Sequence, residues 1–371
     1  MISIKEVISA KDIREFVDFQ FNLYKNSPFW VPPLKQDERK MLKKETNPAL
    51  AFCDAKFWTA WKDGVCVGRI SAIVNHKYNE KIGRKMGRFS RIEFIDNAEV
   101  FSKLMETAEN WLQGEGMEAI HGPLGFTNLD NQGMLIEGFD YLPCIASVYH
   151  KPYYNEFFEK RGYLKENDWL EFRITISEQA VAKANRGMEL LKRRFGFEIV
   201  KAETKAELKK YSHRIFEILN SAFDELPYVA RMDEAMIALY TKKYIEMLDP
   251  RFVTMVSKDG VVIGFFIGLA NLSEAMQKAG GKLFPFGFIH IMKALKKPKV
   301  IDMLLTGVLP EYHSSGVAVM LIAELQRRMM QLGIDQWETT GVFETNHNVI
   351  ANWKNYDHIQ HKRRRCFVKE F

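Results

Sequence analysis

The sequence predicts an α/β (α+β) fold built from two tandem copies of one unit, each with a mixed, mostly antiparallel sheet flanked by helices. Three observations predict it. A series of residues recurs at identical spacing in the two halves, strand-like and helix-like runs alternate within each half, and 371 residues are enough for two domains that each bury a core. The predicted domains are residues 1–176 and 177–371.

The repeat starts at an Asp-Gly pair in each half. Asp63-Gly64 and Asp259-Gly260 both lie between two β-type runs, which is the pattern of a hairpin with a two-residue turn. A glycine and an asparagine follow both pairs at the same offsets, as Gly68 with Asn75 and as Gly264 with Asn271. Residues 158–163 and 353–358 also correspond. An ordered series of matches of this kind indicates an internal duplication.

In the first copy, residues 57–61 and 65–74 are predicted as the hairpin strands and residues 88–95 as a further strand. A helix is predicted next, from apolar residues at helical spacing: Val100, Phe101, Leu104, Met105, Ala108, Trp111 and Leu112. A strand over 170–176 ends the copy. Residues 178–194 predict a polar helix, which we expect to bridge the two halves.

In the second copy, residues 252–256 and 261–270 are predicted as hairpin strands, and 300–309 as a strand that Pro310 ends because proline cannot donate to a sheet. A helix follows, from the apolar residues Ala318, Ile322, Leu325, Met329 and Leu332, with Gly333 as its terminator. A strand over 336–343 and a short helix come next. The basic run 362–365 falls in the last strand, where we expect an exposed polar face.

The turn between the strand 300–309 and its helix is predicted to bind phosphate. A helix that opens at Ser314 to Gly316 directs unpaired N–H groups and the positive end of its dipole at the turn. Gly316 has no Cβ, so an anion can approach the backbone closely. Alternatively, Ser314 or Ser315 caps the helix and the glycine is incidental. Residues 96–99 of the first copy contain two acids and no glycine, so we expect phosphate only in the second copy.

This turn and the elements around it resemble the second half of the GCN5-related N-acetyltransferase (GNAT) superfamily. The superfamily pattern is Gln/Arg-x-x-Gly-x-Gly/Ala, which His313, Gly316 and Ala318 follow here, with histidine as a departure. The resemblance implies that the turn holds the pyrophosphate of acetyl-CoA or another acyl-CoA, and that Leu309 and its neighbours offer a strand edge to the pantetheine amides. The implied cofactor-binding residues of the turn are His313, Ser314, Ser315, Gly316, Val317 and Ala318.

The resemblance also places Asn346 beside the thioester, and Trp353 where the superfamily has a tyrosine that gives a proton to the departing thiolate. An indole cannot supply that proton, since it has no accessible titration. Tyr356, about one helical turn further on, is the candidate acid in its place. Glu344 is the candidate acceptor of the amine proton. Alternatively, Tyr356 packs in the core and Glu344 caps the next helix.

Over the whole chain, the sequence resembles tandem GNAT-fold proteins, a group that includes N-myristoyltransferases and the Fem peptidyltransferases, and more closely an uncharacterised bacterial tandem family. Residues 30–34, 67–70 and 122–139 carry this resemblance. It implies an N-acyltransferase that acts on a small-molecule or peptide amine, with N-acetyltransferase as the preferred assignment. Two alternatives stay open: a non-catalytic sensor or scaffold that binds CoA or another anion, and Fem-like transfer from aminoacyl-tRNA.

Candidate acceptor-binding residues cluster in the first half, which we expect to provide the acceptor side. The polar residues Asn128, Asp130 and Asn131 lie between two glycines, and aromatic residues follow them. Glu137 and Tyr149 complete the candidate set for an amine-bearing substrate. Alternatively, this stretch is a long ordered turn whose side chains satisfy its own backbone.

Composition excludes several other classes. The four cysteines have no paired spacing and the start of the chain has no signal-peptide pattern, so we expect reduced thiols and a cytoplasmic protein. No apolar run is long enough to cross a bilayer. The scattered histidines predict no metal site, and a net charge of +6 with no recognised motif makes nucleic acid an improbable partner, with tRNA as the exception that the Fem resemblance allows.

One insertion, residues 273–299, mixes aromatic, aliphatic and lysine residues between the second hairpin and the phosphate-binding turn. Such a mixture is compatible with a lid, a partner surface or a lipid-facing helix. It is also compatible with a packed excursion that has a solvated lysine face.

Overall fold

The computed structural model describes residues 1–245 and 247–371. Two compact units are present. Unit 1 comprises residues 1–170, 273–291 and 361–371, and unit 2 comprises residues 171–272 and 292–360. The predicted α/β class with mixed sheets flanked by helices is confirmed. The predicted domains, residues 1–176 and 177–371, divide the chain into its two repeated copies, and that division stays a prediction. Each compact unit instead combines segments from both halves of the chain.

The first half of the chain contributes seven strands and five helices in this order: β1 (Ile2–Glu6), α1 (Ala10–Leu23), α2 (Lys35–Met41), β2 (Cys53–Lys62), β3 (Val65–Asn75), α3 (His76–Ile82), β4 (Met86–Phe94), α4 (Ala98–Gly114), β5 (Ala119–Gly122), β6 (Met134–Glu137), α5 (Tyr154–Lys160) and β7 (Leu164–Thr175). All of them lie in unit 1 except the end of β7, which belongs to unit 2 from Glu171 onwards.

The rest of the described chain contributes these elements: α6 (Glu178–Phe195), β8 (Phe197–Val200), α7 (Lys205–Lys210), α8 (Ser212–Ala222), α9 (Glu234–Ile245), β9 (Val253–Lys258), β10 (Val261–Ala270), α10 (Ser273–Ala279), α11 (Gly287–Lys296), β11 (Val300–Val308), α12 (Val317–Gln331), β12 (Gln336–Thr339), β13 (Val342–Phe343), α13 (His347–Asn352) and β14 (Asp357–Glu370). The strand predicted over 336–343 is interrupted after Thr339. The helix predicted over 178–194 is α6, which lies within unit 2 and is not a bridge.

The two units share one strand order. In unit 1, neighbouring strands run β1, β2, β3, β4, β5, and only β4 and β5 are parallel. In unit 2 the order is β8, β9, β10, β11, β12, and only β11 and β12 are parallel. A parallel pair needs a crossover connection, which α4 supplies in unit 1 and α12 in unit 2. The predicted duplication is therefore present in the topology.

The repeated residues have the same structural role in both copies. Asp63 and Gly64 have φ of 49° and 77°, and Asp259 and Gly260 have φ of 50° and 77°, as a two-residue turn with positive φ at both central positions requires. A Cβ on Gly68 would lie 2.7 Å from Leu104 of α4, and a Cβ on Gly264 would lie 2.8 Å from Val317 of α12. Both glycines thus allow the crossover helix to approach the sheet.

The core of unit 1 is rich in aromatic side chains. Phe158, which corresponds to Trp353 in the repeat, is fully buried and stacks on Phe89 and Phe367 with ring centroids 5.1 Å apart in each case. Trp353 is 1% exposed in unit 2. Each of these residues packs into a core just before the last strand of its copy. Among the described residues, no helix combines the length and apolarity that a membrane crossing needs.

The basic run 362–365 does lie in the last strand, but the exposed face predicted for it is wrong. Lys362 is 1% exposed and its Nζ donates to the carbonyls of Gly138 and Tyr141 at 2.9 and 2.5 Å. Arg364 is 3% exposed and donates to the carbonyl of Gln132. These cations anchor loops of unit 1.

The other two basic residues of the run pair with one buried carboxylate. Asp168 is fully buried, and it accepts from Arg363 Nη1 at 3.1 Å and from Arg365 Nε at 2.9 Å. The arginines overcome the effect of burial and lower the pKa of Asp168.

We expect Asp168→Asn to destabilise the protein by about 3 kcal/mol, because it removes the buried counter-ion that Arg363 and Arg365 share. Arg363 keeps its pair with the exposed Glu137. The loss should appear as a lower midpoint in thermal or urea unfolding. Asp357→Asn is the matched control, since Asp357 is exposed at the start of β14, the strand that carries the two arginines. Equal midpoints for the two variants would contradict this role.

Candidate functional site

The turn after β11 leaves a helix N-terminus open. A single 3-10 turn (Pro310–Tyr312) follows the strand, Gly316 has φ of +87°, and α12 begins at Val317, just after the predicted start. Its first intrahelical hydrogen bond runs from the Met320 N–H to the Gly316 carbonyl at 3.1 Å. The N–H groups of residues 317–319 therefore have no partner within the helix, and no side chain caps them in the described structure.

Gly316 is required for conformation as well as for access. A side chain there would be strained at positive φ, and its Cβ would lie 2.7 Å from Leu191 of α6. The alternative in which a serine caps the helix is wrong. Ser315 Oγ donates instead to the Tyr312 carbonyl at 2.7 Å, and Ser314 is exposed.

The N-terminus of the corresponding helix in unit 1, α4, is capped by a side chain. The Asn97 Oδ1 accepts from the Val100 N–H at 3.1 Å, and Glu99 stands in the first turn of α4. A carboxylate at this position complements the helix dipole and repels phosphate. Residues 96–99 thus lack the uncapped helix start that precedes α12, and phosphate binding in the second copy alone stays a prediction.

An open strand edge adjoins the helix N-terminus. β11 pairs with β12 only from Val300 to Met303, whereas β11 continues to Val308. The Leu309 N–H, predicted as part of this edge, donates to the Ile263 carbonyl of β10 at 3.0 Å. By alternation, the backbone groups of Thr306 and Val308 face away from β10 and form the edge.

In unit 1 the end of the equivalent strand is covered by tyrosines. The Phe94 carbonyl accepts from Tyr153 Oη at 2.6 Å, and the Phe94 N–H donates to Tyr154 Oη at 2.9 Å. The rings of Phe94 and Tyr154 stack with centroids 4.3 Å apart. Both backbone groups of Phe94, at the end of β4, are therefore occupied by side chains of unit 1.

His313 is exposed, and its Nε2 lies 2.9 Å from the Val308 carbonyl. When Nε2 donates to that carbonyl, Nδ1 is the ring nitrogen that remains for a ligand. A neutral ring would present an acceptor there, and a protonated ring a donor. The His313 ring thus occupies the Val308 carbonyl, which is one of the acceptors of the strand edge.

Trp353 and Tyr356 lie on the α12 face of the unit 2 sheet. The buried Trp353 ring packs against Trp337 with centroids 6.2 Å apart, so a ligand could touch it only if its neighbours moved. The Tyr356 hydroxyl accepts from Gln326 Nε2 of α12 at 2.7 Å, and its ring lies 5.9 Å from that of Trp337. Burial raises the pKa of Tyr356, so the hydroxyl keeps its proton at neutral pH.

A buried carboxyl that sequence reasoning missed lies where β11 and β12 separate. Asp302 is 1% exposed and stands one residue before the last paired position, opposite Glu338. Its Oδ1 accepts from Asn271 Nδ2 at 2.8 Å, and its Oδ2 has no hydrogen-bond partner among the described residues. Burial raises the pKa of Asp302 well above its usual value, and the nearby Glu338 and Glu171 raise it further.

Asp302 and Tyr356 face opposite sides of the sheet. Trp337, which contacts Tyr356, is the register partner of Ile301, and the next pair is Asp302 with Glu338. Successive residues of a strand point to opposite faces. A group held between the diverging strands could meet a carboxyl on one side and a phenol on the other.

The remaining predicted residues of this region are engaged locally. Asn346 caps α13, and its Oδ1 accepts from the Val349 N–H at 3.3 Å. The alternative in which Glu344 is the cap is therefore wrong. Glu344 is half-buried just after β13.

The candidate acceptor loop of unit 1 mostly satisfies itself. The Asp130 Oδ2 accepts from the Thr127 N–H at 3.0 Å, and the Asn131 side chain is exposed. The buried Asn128 Oδ1 has no partner among the described residues. Two further candidates have partners elsewhere in unit 1: Glu137 forms an ion pair with Arg363 at 3.2 Å, and Tyr149 packs its ring against Tyr24 at 5.8 Å.

Unit 1 also brings together three groups of metal-ligand type, although no metal site was predicted. The ligand atoms of His121, Glu166 and Cys366 lie within 4.8 Å of one another. Glu166 is 3.2 Å from both His121 Nδ1 and Cys366 Sγ. The three residues come from β5, β7 and β14, so no spacing in the sequence could reveal them.

Residues 212–356 match the Acetyltransferase (GNAT) family. This part of the chain is a GNAT domain. Solved structures extend the likeness to the whole chain: a tandem GNAT protein from the clavulanic acid biosynthesis pathway superposes with a TM-score of 0.57 at 12% identity, over 100% of this chain and 98% of that one. A probable N-acyltransferase from Enterococcus faecalis superposes with a TM-score of 0.54 at 9% identity, over 100% of this chain and 73% of that one. The fold is thus that of tandem GNAT proteins.

Two curated proteins are similar along nearly their full length. Protein YghO of Escherichia coli is 28% identical over 374 residues, which cover 99% of this chain and 95% of that protein. The bacterial ceramide synthase of Caulobacter vibrioides is 26% identical over 379 residues, which cover 99% of this chain and 97% of the synthase.

We expect the stability of Asp302→Asn relative to the wild type to depend on pH. Because the pKa of Asp302 is raised by folding, the folded state holds a proton that the unfolded state releases above about pH 4. This stabilisation is complete below that pH and is lost as pH rises towards the folded-state pKa. The free energy of unfolding of the wild type should fall relative to the variant, by about 1.4 kcal/mol per unit of pKa difference.

Urea unfolding of both proteins at several values of pH measures this difference. A difference that stays constant with pH would show that Asp302 titrates normally.

Proposed function

We propose that this protein is an acyl-CoA-dependent N-acyltransferase, in which unit 2 binds the thioester and an amine is the acceptor. The observation that carries the proposal is the open N-terminus of α12 beside an open edge of β11. Backbone N–H groups and the helix dipole suit a pyrophosphate. The strand edge, where the Thr306 backbone groups and the Val308 N–H face away from β10, suits the amide groups of a pantetheine arm. The family match of residues 212–356 supports the same reading.

Asp302 is the group that we assign to the amine. A buried carboxyl with an unpartnered oxygen and acidic neighbours favours a cation. An ammonium group placed beside it would lower its pKa again, because an opposite charge favours the ionised form. Asp302 could then take the proton and leave a neutral amine, which attacks the thioester carbon.

Tyr356 is the group that we assign to the leaving thiolate. Its raised pKa keeps the phenol protonated, and it lies on the face opposite Asp302. The C–N bond forms on the carboxyl side, the C–S bond breaks, and the phenolic proton passes to sulfur. The second proton of the attacking nitrogen leaves to solvent through water, and solvent returns a proton to Tyr356. Glu344 is retained as a second candidate base, with the smaller role of relaying a proton through water.

The acyl chain and the acceptor that we favour are long and apolar. The name of the Caulobacter relative supports this choice, since a ceramide is a long-chain amine acylated on nitrogen, and the two chains align over nearly their full lengths. Two alternatives compete with this assignment: transfer of an acetyl group, and a protein that binds CoA without catalysis. The buried Trp353, in place of the usual tyrosine, favours the latter.

Ala318→Glu should abolish binding of CoA while leaving the fold intact. It copies Glu99, the second residue of α4, and an acid in the first turn stabilises a helix. Ala318→Gln is the control for size. Gly316→Val is a poorer test, because it would clash with Leu191.

Thermal unfolding with and without CoA measures this effect. At a concentration about a hundred times the dissociation constant, CoA adds about 2.7 kcal/mol to the wild type and to Ala318→Gln, and nothing to Ala318→Glu. An equal shift in all three proteins would rule out the α12 cradle.

Asp302→Asn and Tyr356→Phe should each lower turnover by about 10²–10⁴-fold, because each removes one positioned proton-transfer group. Glu344→Gln should lower it less. Release of free thiol from long-chain acyl-CoA in the presence of a long-chain amine measures the rate, and the CoA-dependent thermal shift should be unchanged in all three variants. A thermal shift without transfer to short or long amines would favour the binding protein, and faster transfer from acetyl-CoA would favour the acetyltransferase.

A further inference from the structure

An exposed apolar tip projects from the insertion between β10 and β11. Five large apolar side chains within nine residues are between 37% and 77% exposed: Phe284, Phe286, Phe288, Ile289 and Met292. The first two precede α11 and the others lie in its first turns. Isolated exposed apolar residues are ordinary, whereas a contiguous group marks an interaction surface.

The base of this tip is fixed to unit 1. Ser273 Oγ at the start of α10 donates to the Pro143 carbonyl at 2.7 Å, and Gln277 Nε2 donates to the Pro28 carbonyl at 2.8 Å. The Gly281 carbonyl accepts from the Lys35 N–H at 3.0 Å. The protein therefore holds the tip in place at its base.

The backbone of the tip is ordered by its own hydrogen bonds. The Phe288 N–H donates to the Leu283 carbonyl at 2.8 Å, and the Ile289 N–H donates to the Phe286 carbonyl at 3.1 Å. The rings of Phe284 and Phe288 lie 5.8 Å apart. Paired backbone groups lower the cost of entering an apolar medium.

A collar of lysines follows the apolar tip. Lys293, Lys296, Lys297 and Lys299 are all exposed. Residues 275–301 contain six lysines and no acid, so the rest of the chain has 47 basic and 47 acidic residues. The whole net charge of +6 is therefore concentrated in this segment. Aromatic and aliphatic residues with adjacent lysines suit the boundary between acyl chains and anionic headgroups.

We propose that residues 284–299 dock the protein on the surface of an anionic phospholipid bilayer. Phe284, Phe286 and Phe288 enter the acyl boundary, and the lysine collar contacts headgroup phosphates. These residues are not among those assigned to the cofactor site, and the proposal does not depend on the proposed function. Charge complementarity favours a bilayer over a second copy of the chain, whose corresponding surface would carry the same positive charge.

The test is co-sedimentation of the cofactor-free protein with vesicles of phosphatidylcholine containing one-fifth phosphatidylglycerol. We expect binding that weakens with salt, and weaker binding to phosphatidylcholine alone. Phe284→Ser with Phe286→Ser should abolish it. Lys293→Gln with Lys296→Gln and Lys297→Gln should weaken binding to the anionic vesicles by about fivefold per lysine.

Two matched variants control for apolarity and charge elsewhere on the surface. Leu164→Ser with Leu190→Ser removes two side chains that are 69% and 67% exposed, and Lys40→Gln with Lys43→Gln and Lys44→Gln removes three exposed lysines. Both should bind vesicles as the wild type does. Absence of vesicle binding by the wild type would overturn the proposal. Self-association that Phe284→Ser with Phe286→Ser disrupts, without vesicle binding, would assign the tip to a second copy instead.

Discussion

An α-helix leaves its first N–H groups unpaired, and a protein must satisfy them or use them. In this duplicated chain the two crossover helices differ at this point. Asn97 caps α4, whereas Gly316 precedes α12 and has no side chain with which to cap it. In unit 2, the uncapped helix start, the unpaired part of β11 and the point where β11 and β12 separate all lie between Met303 and Val317. An anion is the natural partner of such an end.

The two copies share the glycines that allow close helix–sheet packing, and they differ at the end of the fourth strand. Gly68 and Gly264 both let a crossover helix lie close to the sheet, and neither tolerates a Cβ without movement of its neighbours. At the end of the fourth strand the copies differ, since Tyr153 and Tyr154 hydrogen bond to Phe94 in unit 1. The packing constraint is thus shared by the two units, whereas the uncapped helix start and the unpaired end of the neighbouring strand belong to unit 2.

Local patterns predicted the hairpins, the crossover helices and the turn at Gly316, because turns and helices depend mainly on residues that are close together in the sequence. They did not predict Asp302, since one acid within an apolar run reads as an interruption of a strand. Its partners Asn271 and Glu338 come from other elements. The burial of Lys362 and Arg364 was missed for a similar reason, because their acceptors are carbonyls of distant loops. The burial and the partners of such polar residues depend on contacts between segments that are distant in the sequence.

We propose that α12, and not α4, receives the diphosphate of CoA. Amide hydrogen exchange with and without CoA tests it directly, because exchange reports on individual stretches of backbone. We expect added protection over residues 309–320 and unchanged exchange over residues 95–102. Protection at residues 95–102, or no protection at residues 309–320 when CoA is saturating, would contradict it.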